Sequence, residues 1–188
     1  MAFLFKIQIQ GISKPPVWRK LSVPEHFTFN RFHNVIQAAF GWNGSHKYEF
    51  SPSGWGSSPT IGSQHEKYFG DGPDLDSETI TLGEIFKEEK QKFTYIYDFG
   101  DDWNHIITLE KITDQKLLQA SCIDGKGANL PEDCGGAMDY PDFLEAIRDP
   151  SHPQHDDMIE WSGLSEGQLW EDVHAFDLEA TNKLVEKV

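Results

Sequence analysis

The sequence predicts an α+β fold: one domain over residues 1–188, with a mostly antiparallel central sheet, a long helix after the second strand and short helices in the C-terminal third. Three observations carry this. Two strand-like stretches open the chain, a second pair flanks the turn at 100–102, and segments of helical spacing follow strand 2 and fill the last third. A chain of 188 residues with 38% hydrophobic and 13% aromatic content is large enough to bury one real core.

The elements follow in order. In FLFKIQIQ, Phe3, Phe5, Ile7 and Ile9 alternate with Lys6, Gln8 and Gln10, the pattern of a half-buried strand. Gly11 to Pro16 is expected to turn the chain, and Val17 to Val23 to return as its antiparallel partner. Phe29, Phe32, Val35, Ile36, Ala39 and Phe40 then fall at helical spacing, with Thr28 as a cap and Gly41 as the stop, a helix near 28–40. His33 on this helix is expected to serve packing or the surface. A short strand is expected over His46 to Ser51. Residues 52–78 are rich in Gly, Ser, Pro and Asp and predict an irregular excursion, with a short strand near Lys67 to Phe69.

A short helix is expected from about Leu82, with Thr81 and Glu84 as a capping-box pair. The strongest β signal comes next. Phe93, Tyr95, Tyr97 and Phe99 share one face; Trp103, His105, Ile107 and Leu109 share another, while Ile106 and Ile112 point the opposite way. Gly100-Asp101-Asp102 is a connection of hairpin length. Apolar residues on both faces predict central strands covered on both sides, with Phe99 and Trp103 buried. CIDGKGANLPEDCGG, from Cys122 to Gly136, reads as a loop. A helix is expected in DYPDFLEAI, capped by Asp139 with Pro141 in its first turn. Another is expected in SHPQHDDMIEW, with Pro153 in its first turn, and a last amphipathic one from Asp177.

Charge narrows the function. The net charge is −15, and residues 129–188 hold 15 acids against 3 bases. Such a field repels phosphate backbones, so nucleic-acid binding is disfavoured except on a local patch built from Lys14, Arg19, Lys20 and Arg31. Cys122 and Cys134 form neither a CxxC pair nor a secretory framework, and the N-terminal apolar run is short for a signal peptide. No stretch approaches the roughly 18 apolar residues of a membrane helix. A cytoplasmic protein with reduced thiols and no membrane partner is the expectation; oligomeric state is open.

Several segments carry a resemblance. PPVWRKLSVP (15–24), QAAFGW (37–42), NGSHKYEF (43–50), YIYDFGDDWNHIITLEK (95–111), PEDCGG (131–136) and HPQHDD (152–157) occur in this order across almost the whole chain. The sequence thereby resembles the family of the third open reading frame of the Ri plasmid, whose members are also labelled TnpR-like passenger proteins of insertion elements. The resemblance implies a fold, an association with mobile elements and no established activity. The family loop commonly reads CPPED where this chain has NLPED at 129–133, so a cysteine that could ligate metal in relatives is absent.

A serine resolvase needs several arginines around a scissile phosphate; this chain has three, Arg19, Arg31 and Arg148, far apart in sequence, so resolvase activity is disfavoured. Asp98, Asp101, Asp102 and His105 on the hairpin and Glu132 and Asp133 in the PED loop make a candidate polar site. Asp101, His105 and Glu132, with His152 and His155 at helical spacing, are candidate ligands for a divalent metal such as Zn, Mn or Fe, which would support a metal-dependent hydrolase. Cys134 beside Gly135 and Gly136 is a weaker nucleophile candidate. Trp42, Trp55 and Trp103, with Trp18, recur beside polar loops and are candidate anchors for a protein or peptide. No enzymatic constellation is complete, so a non-catalytic protein- or peptide-binding module leads and the metal hydrolase follows. Either way, Asp101, His105 and the PED loop are expected to lie close together.

Overall fold

The computed structural model describes residues 1–65 and 72–188. A single sheet of eight strands runs through the described residues. In chain order these are β1 Ala2–Ser13, β2 Pro16–Pro24, β3 Tyr48–Ser51, β4 Ile61–Gly62, β5 Leu75–Asp76, β6 Lys92–Tyr97, β7 Trp103–Thr113 and β8 Ser121–Lys126. Their spatial order is β5-β4-β3-β6-β7-β1-β2-β8, and every neighbouring pair is antiparallel except β4–β5. The helices are α1 Phe29–Phe40, α2 Leu82–Ile85, α3 Gly136–Arg148, α4 His155–Ser162, α5 Trp170–Val173 and α6 Leu178–Val185. The expected α+β class therefore holds, including the long helix and the short C-terminal ones. No described helix is long and apolar enough to cross a membrane.

Helix α1 forms where its spacing predicts. Thr28 Oγ1 accepts from the Arg31 amide at 3.2 Å, and Gly41 stops the helix at φ +79°. Its apolar stripe lies on one face of the sheet: Phe32 meets Phe5 with ring centroids 4.9 Å apart, and Phe29 meets Phe50 at 5.0 Å. Each such buried ring contributes roughly 1.5–3 kcal/mol of transfer free energy, which holds the helix on the sheet far more strongly than its caps do. Thr81 and Glu84 form the expected pair, with the Thr81 amide donating to Glu84 Oε2 at 2.8 Å.

Several expectations change. β1 continues to Ser13, past the expected turn at Gly11, and the hairpin closes over Lys14-Pro15 with an irregularity in register after Gln8. Residues 121–126, read as loop, pair with β2 as an edge strand; Asp124-Gly125 looks like a turn by composition, yet Cys122 lies opposite Leu21 in the ladder. Helix α3 starts at Gly136 rather than after Asp139, and α4 starts at His155, so Pro153 lies in the preceding turn. Asp177 does cap the last helix, accepting from the Ala180 amide at 2.9 Å. The short strand expected near Lys67 to Phe69 lies outside the described residues.

β6 is enclosed on both faces, but β7 alternates between buried and half-buried positions, so its far face is less covered than expected. The proposed basic patch also dissolves. Arg19 is fully buried; it donates to the carbonyls of Ala39, Trp18 and Lys126 and to Asn129 Oδ1, and its guanidinium lies over the rings of Phe40 and Phe176. Burial lowers its pKa to about 10, which still leaves it charged at neutral pH. Lys20 pairs with Glu110 at 2.9 Å, and Arg31 lies over Phe27 and donates to the Val188 carbonyl. Three of the four bases are committed to this chain's own groups.

Two histidines belong to the core between α1 and the sheet. His33 stacks on Tyr48 and its Nδ1 lies 2.7 Å from the Tyr95 hydroxyl. His105 is packed against Phe40 and Tyr95, with Nδ1 2.9 Å from the Trp103 carbonyl. A carbonyl can only accept, so Nδ1 carries the proton. Burial pushes His33 down to about 3 and His105 to about 4. An unfolded imidazole binds a proton near pH 6.5 while these folded ones do not. Their contribution is therefore unchanged above about pH 6.5 and becomes destabilising as pH falls toward 4, on the order of 2–3 kcal/mol for His105. Urea unfolding of wild type and His105→Phe at pH 7 and pH 4.5 is expected to show a shallower acid loss in the variant. Equal losses would mean that this ring does not report burial.

Candidate functional site

The hairpin tip is built by two aspartates in left-handed backbone. Asp98 and Asp102 both have φ +55°, a conformation that Asp tolerates better than most residues. The Asp102 amide donates to the Asp98 carbonyl at 2.7 Å, and Asp98 Oδ1 accepts from the Gly100 amide at 2.9 Å. The connection thus spans 98–102, longer than Gly100-Asp101-Asp102. The reversal at Asp98 breaks the alternation, so Phe99 leaves the core face and is only half-buried, contrary to expectation. Trp103 is fully buried, as expected for the hairpin, so it is a core residue and not an anchor for a partner.

Asp101 seats this tip on the loop before α3. Its Oδ2 accepts from the Gly135 amide at 3.1 Å, and its carbonyl oxygen packs so tightly on Gly136 that a Cβ there would lie 1.9 Å away. Gly135 and Gly136 have φ +86° and +72°, so both the backbone and the space demand glycine. Burial, then the charge of Asp98, raises the Asp101 pKa, while the amides of Gly135 and Gly136 oppose the rise.

The PED loop meets the sheet at a second point. The Tyr97 hydroxyl donates to Glu132 Oε1 at 2.5 Å, and Glu132 Oε2 accepts from the Asn43 amide at 3.2 Å. Burial, then the hydrogen bond to Glu132, raises the Tyr97 pKa well above its usual value. Trp42 stacks on Tyr97 and donates its indole N–H to the Leu130 carbonyl at 2.9 Å, which makes it a buried strut.

His46 completes the arrangement. Its Nδ1 lies 3.5 Å from Asp98 Oδ2 and its Nε2 lies 3.3 Å from Asp133 Oδ1. One ligand atom from each of His46, Asp98 and Asp133 falls within 4.8 Å of the others, a set able to hold a metal ion. A cleft of about 270 Å³ opens here, lined by Ser45, His46, Lys47, Asp98, Phe99 and Gly100. The His46 ring stands between the two carboxylates, with one nitrogen toward each. His46 would offer one ring nitrogen to a cation, and Asp98 and the exposed Asp133 one carboxylate oxygen each, a donor set that would suit Zn, Mn or Fe.

The structure therefore brings together Asp98, Asp101, Glu132 and Asp133, and adds His46 and Tyr97, which the sequence reading had not assigned to a site. Asp102 is turned outward, where its Oδ1 accepts from the Trp55 indole at 2.7 Å; Trp55 is 51% exposed and packs edge-on against Phe99. His105 is absent from this group of ligand atoms because its strand alternation points it into the core with Ile107 and Leu109. His152 and His155 are absent too. The helix they were expected to share starts only at His155; His155 Nδ1 donates to the Ala146 carbonyl, and His152 Nδ1 accepts from the Gln154 amide. The Cys134 thiol is pushed up to about 12, chiefly by burial, so it is protonated and inert at neutral pH.

A family model described as plasmid pRiA4b ORF-3-like protein matches residues 1–183. The chain belongs to the plasmid pRiA4b ORF-3-like family. Among its relatives is the uncharacterized protein y4hQ of Sinorhizobium fredii, 37% identical over 159 residues that span 81% of this chain and 77% of that protein. The crystal structure of MM3350, a protein of unknown function from Methanosarcina mazei Go1, is similar with a TM-score of 0.76 and 32% identity, covering 95% of this chain and 96% of that one. The fold is thus shared by a chain of nearly the same extent, and the family match agrees with the Ri-plasmid open-reading-frame part of the resemblance carried by YDFGDDWNH and PEDCGG; it does not extend to the TnpR-like label.

The seating of Asp101 on the glycine pair gives a direct test. Gly136→Ala is expected to lower stability by about 3 kcal/mol or more, because strain and overlap with a backbone carbonyl add. Gly163→Ala, at φ +68° with open space around it, is expected to cost only about 1–2 kcal/mol. Urea denaturation distinguishes them, and equal costs would remove the close approach.

Proposed function

We propose that this pRiA4b ORF-3-like protein is a recognition module organised by a divalent cation, which binds a protein or peptide beside the hairpin tip. The observation that carries this is the convergence of His46, Asp98 and Asp133 from three segments: the loop before β3, the hairpin tip and the PED loop. One nitrogen and two carboxylate oxygens suit Zn, Mn or Fe. A cation there would neutralise the carboxylates crowded around Asp101 and cross-link the three segments. The exposed Trp55 and half-buried Phe99 stand at the same tip and supply an aromatic wall for a partner.

Hydrolysis is the second reading, supported by the same cluster: three protein ligands leave a coordination position for water. It ranks lower because the nearby acid–base groups are already paired, Glu132 with Tyr97 and Asn43, and Asp101 with Gly135. Resolvase chemistry draws no support from the arginines, since Arg19 is buried and Arg148 is paired with Glu171. A mobile-element passenger role and a cytoplasmic location fit the reduced thiols Cys122 and Cys134 and the family resemblance, and both belong to this proposal.

Isothermal titration of chelator-treated protein with Zn²⁺ and Mn²⁺ tests the reading. One site per chain is expected, with a rise in Tm of about 5–10 °C at a hundredfold excess over Kd. His46→Ala is expected to abolish both, and His152→Ala to leave both intact. No binding, or binding that survives His46→Ala, would contradict the proposal; turnover of p-nitrophenyl esters or phosphates only in the loaded protein would favour the hydrolase.

A further inference from the structure

Helices α3 and α4 leave a groove between them that shares only Asp133 with the cation cluster. Its volume is about 400 Å³. Asp139, Asp142, Phe143 and Ala146 stand at i, i+3, i+4 and i+7 on α3, so two carboxylates and an apolar pair share one stripe. Met158 and Trp161 face them from α4, three residues apart. The Trp161 ring packs edge-on against Phe143 at 5.5 Å, yet 46% of the residue is exposed. Asp133 closes the end of the groove nearest the PED loop.

Charge decides what fits. The lining holds three carboxylates and no lysine or arginine, within a stretch, 129–188, that carries 15 acids and 3 bases. An anionic ligand is repelled, and a purely apolar one leaves its rim charges without a counterpart. A side chain with an apolar stem and a cationic end matches both surfaces: the stem covers Met158 and Phe143, and the head reaches the carboxylates. A guanidinium does this better than an ammonium, because it is planar, stacks on an indole and donates to two carboxylates at once.

We propose that this α3–α4 groove binds an arginine-bearing segment of a protein partner, its guanidinium held by Asp139 and Asp142 and covered by Trp161. This names the partner chemistry of the recognition reading and rests on it only for the existence of a partner; the groove itself needs no cation.

Fluorescence anisotropy of labelled heptapeptides rich in Arg and Leu tests this on the full chain, beside analogues with Lys or Glu in place of Arg. The Arg peptide is expected to bind at least tenfold more tightly than the Glu analogue and severalfold more tightly than the Lys analogue. Binding is expected to weaken at least tenfold in Trp161→Ala and in Asp142→Asn, both at exposed positions, and to fall with added salt. His46→Ala is expected to lose cation binding and keep peptide binding, so failure of the cation site and failure of the groove are distinguishable. No preference for Arg over Glu, or full affinity in both groove variants, would overturn the proposal. Equal affinity for the Lys analogue would overturn the choice of guanidinium.

Discussion

Asp101 sits on the Gly135–Gly136 pair with its carboxylate on one amide and its carbonyl against the next α-carbon. Everything polar at this end of the molecule depends on that seat. It fixes the hairpin tip against the start of α3, and the PED loop, immediately before the glycines, is carried into place with it. Asp133 then faces Asp98 across the His46 ring, and Glu132 reaches the Tyr97 hydroxyl. A side chain at Gly136 would push the two backbones apart, and the ligand atoms would separate with them. The left-handed turns at Asp98, Asp102 and Asp133 serve the same geometry, since each redirects the chain where an extended residue would carry its carboxylate elsewhere.

The seat is rigid because the frame beneath it is aromatic and closely packed. Trp42 bridges the end of α1 to Tyr97 on β6 and to the carbonyl of Leu130, which joins the helix layer, the sheet and the PED loop through one side chain. His33 and His105 fill space in the same layer as neutral rings. Arg19 does an equivalent job beside it, on the far side of Phe40, joining the end of α1, the edge strand β8 and Asn129 through hydrogen bonds. Groups that look like chemistry in the sequence are here structural members: Arg19 is held mainly by backbone carbonyls, His33 by the Tyr95 hydroxyl, and His105 through Nδ1, while its Nε2 stays buried without a partner.

Much of this was legible beforehand. Alternation and helical spacing place β1, β2, α1, β6 and β7, and the co-occurrence of the YDFGDDWNH and PEDCGG segments points to their meeting at Asp101. The same alternation put His105 on one face with Ile107 and Leu109; that face is the core, so the signal against a ligand role was already present. His46 was harder to find. It stands beside Asp98 only because β3 pairs with β6 in the register that sets Tyr48 opposite Tyr97, and strand partnership between distant segments leaves no local mark. His152 and His155 misled because their spacing mimics a helix face, while Pro153 and the turn around it delay α4 to His155. β8 was hidden by Asp124 and Gly125, which an edge strand tolerates and a central strand rarely does.

The central claim is that this seat assembles a cation site from His46, Asp98 and Asp133. Anomalous scattering from crystals soaked in Mn²⁺ tests it most directly. The account predicts one strong peak about 2.0–2.3 Å from one ring nitrogen and two carboxylate oxygens of those residues, with Asp101 still on the Gly135 amide. A featureless map at His46, or a peak held instead by His152 and His155, would contradict it.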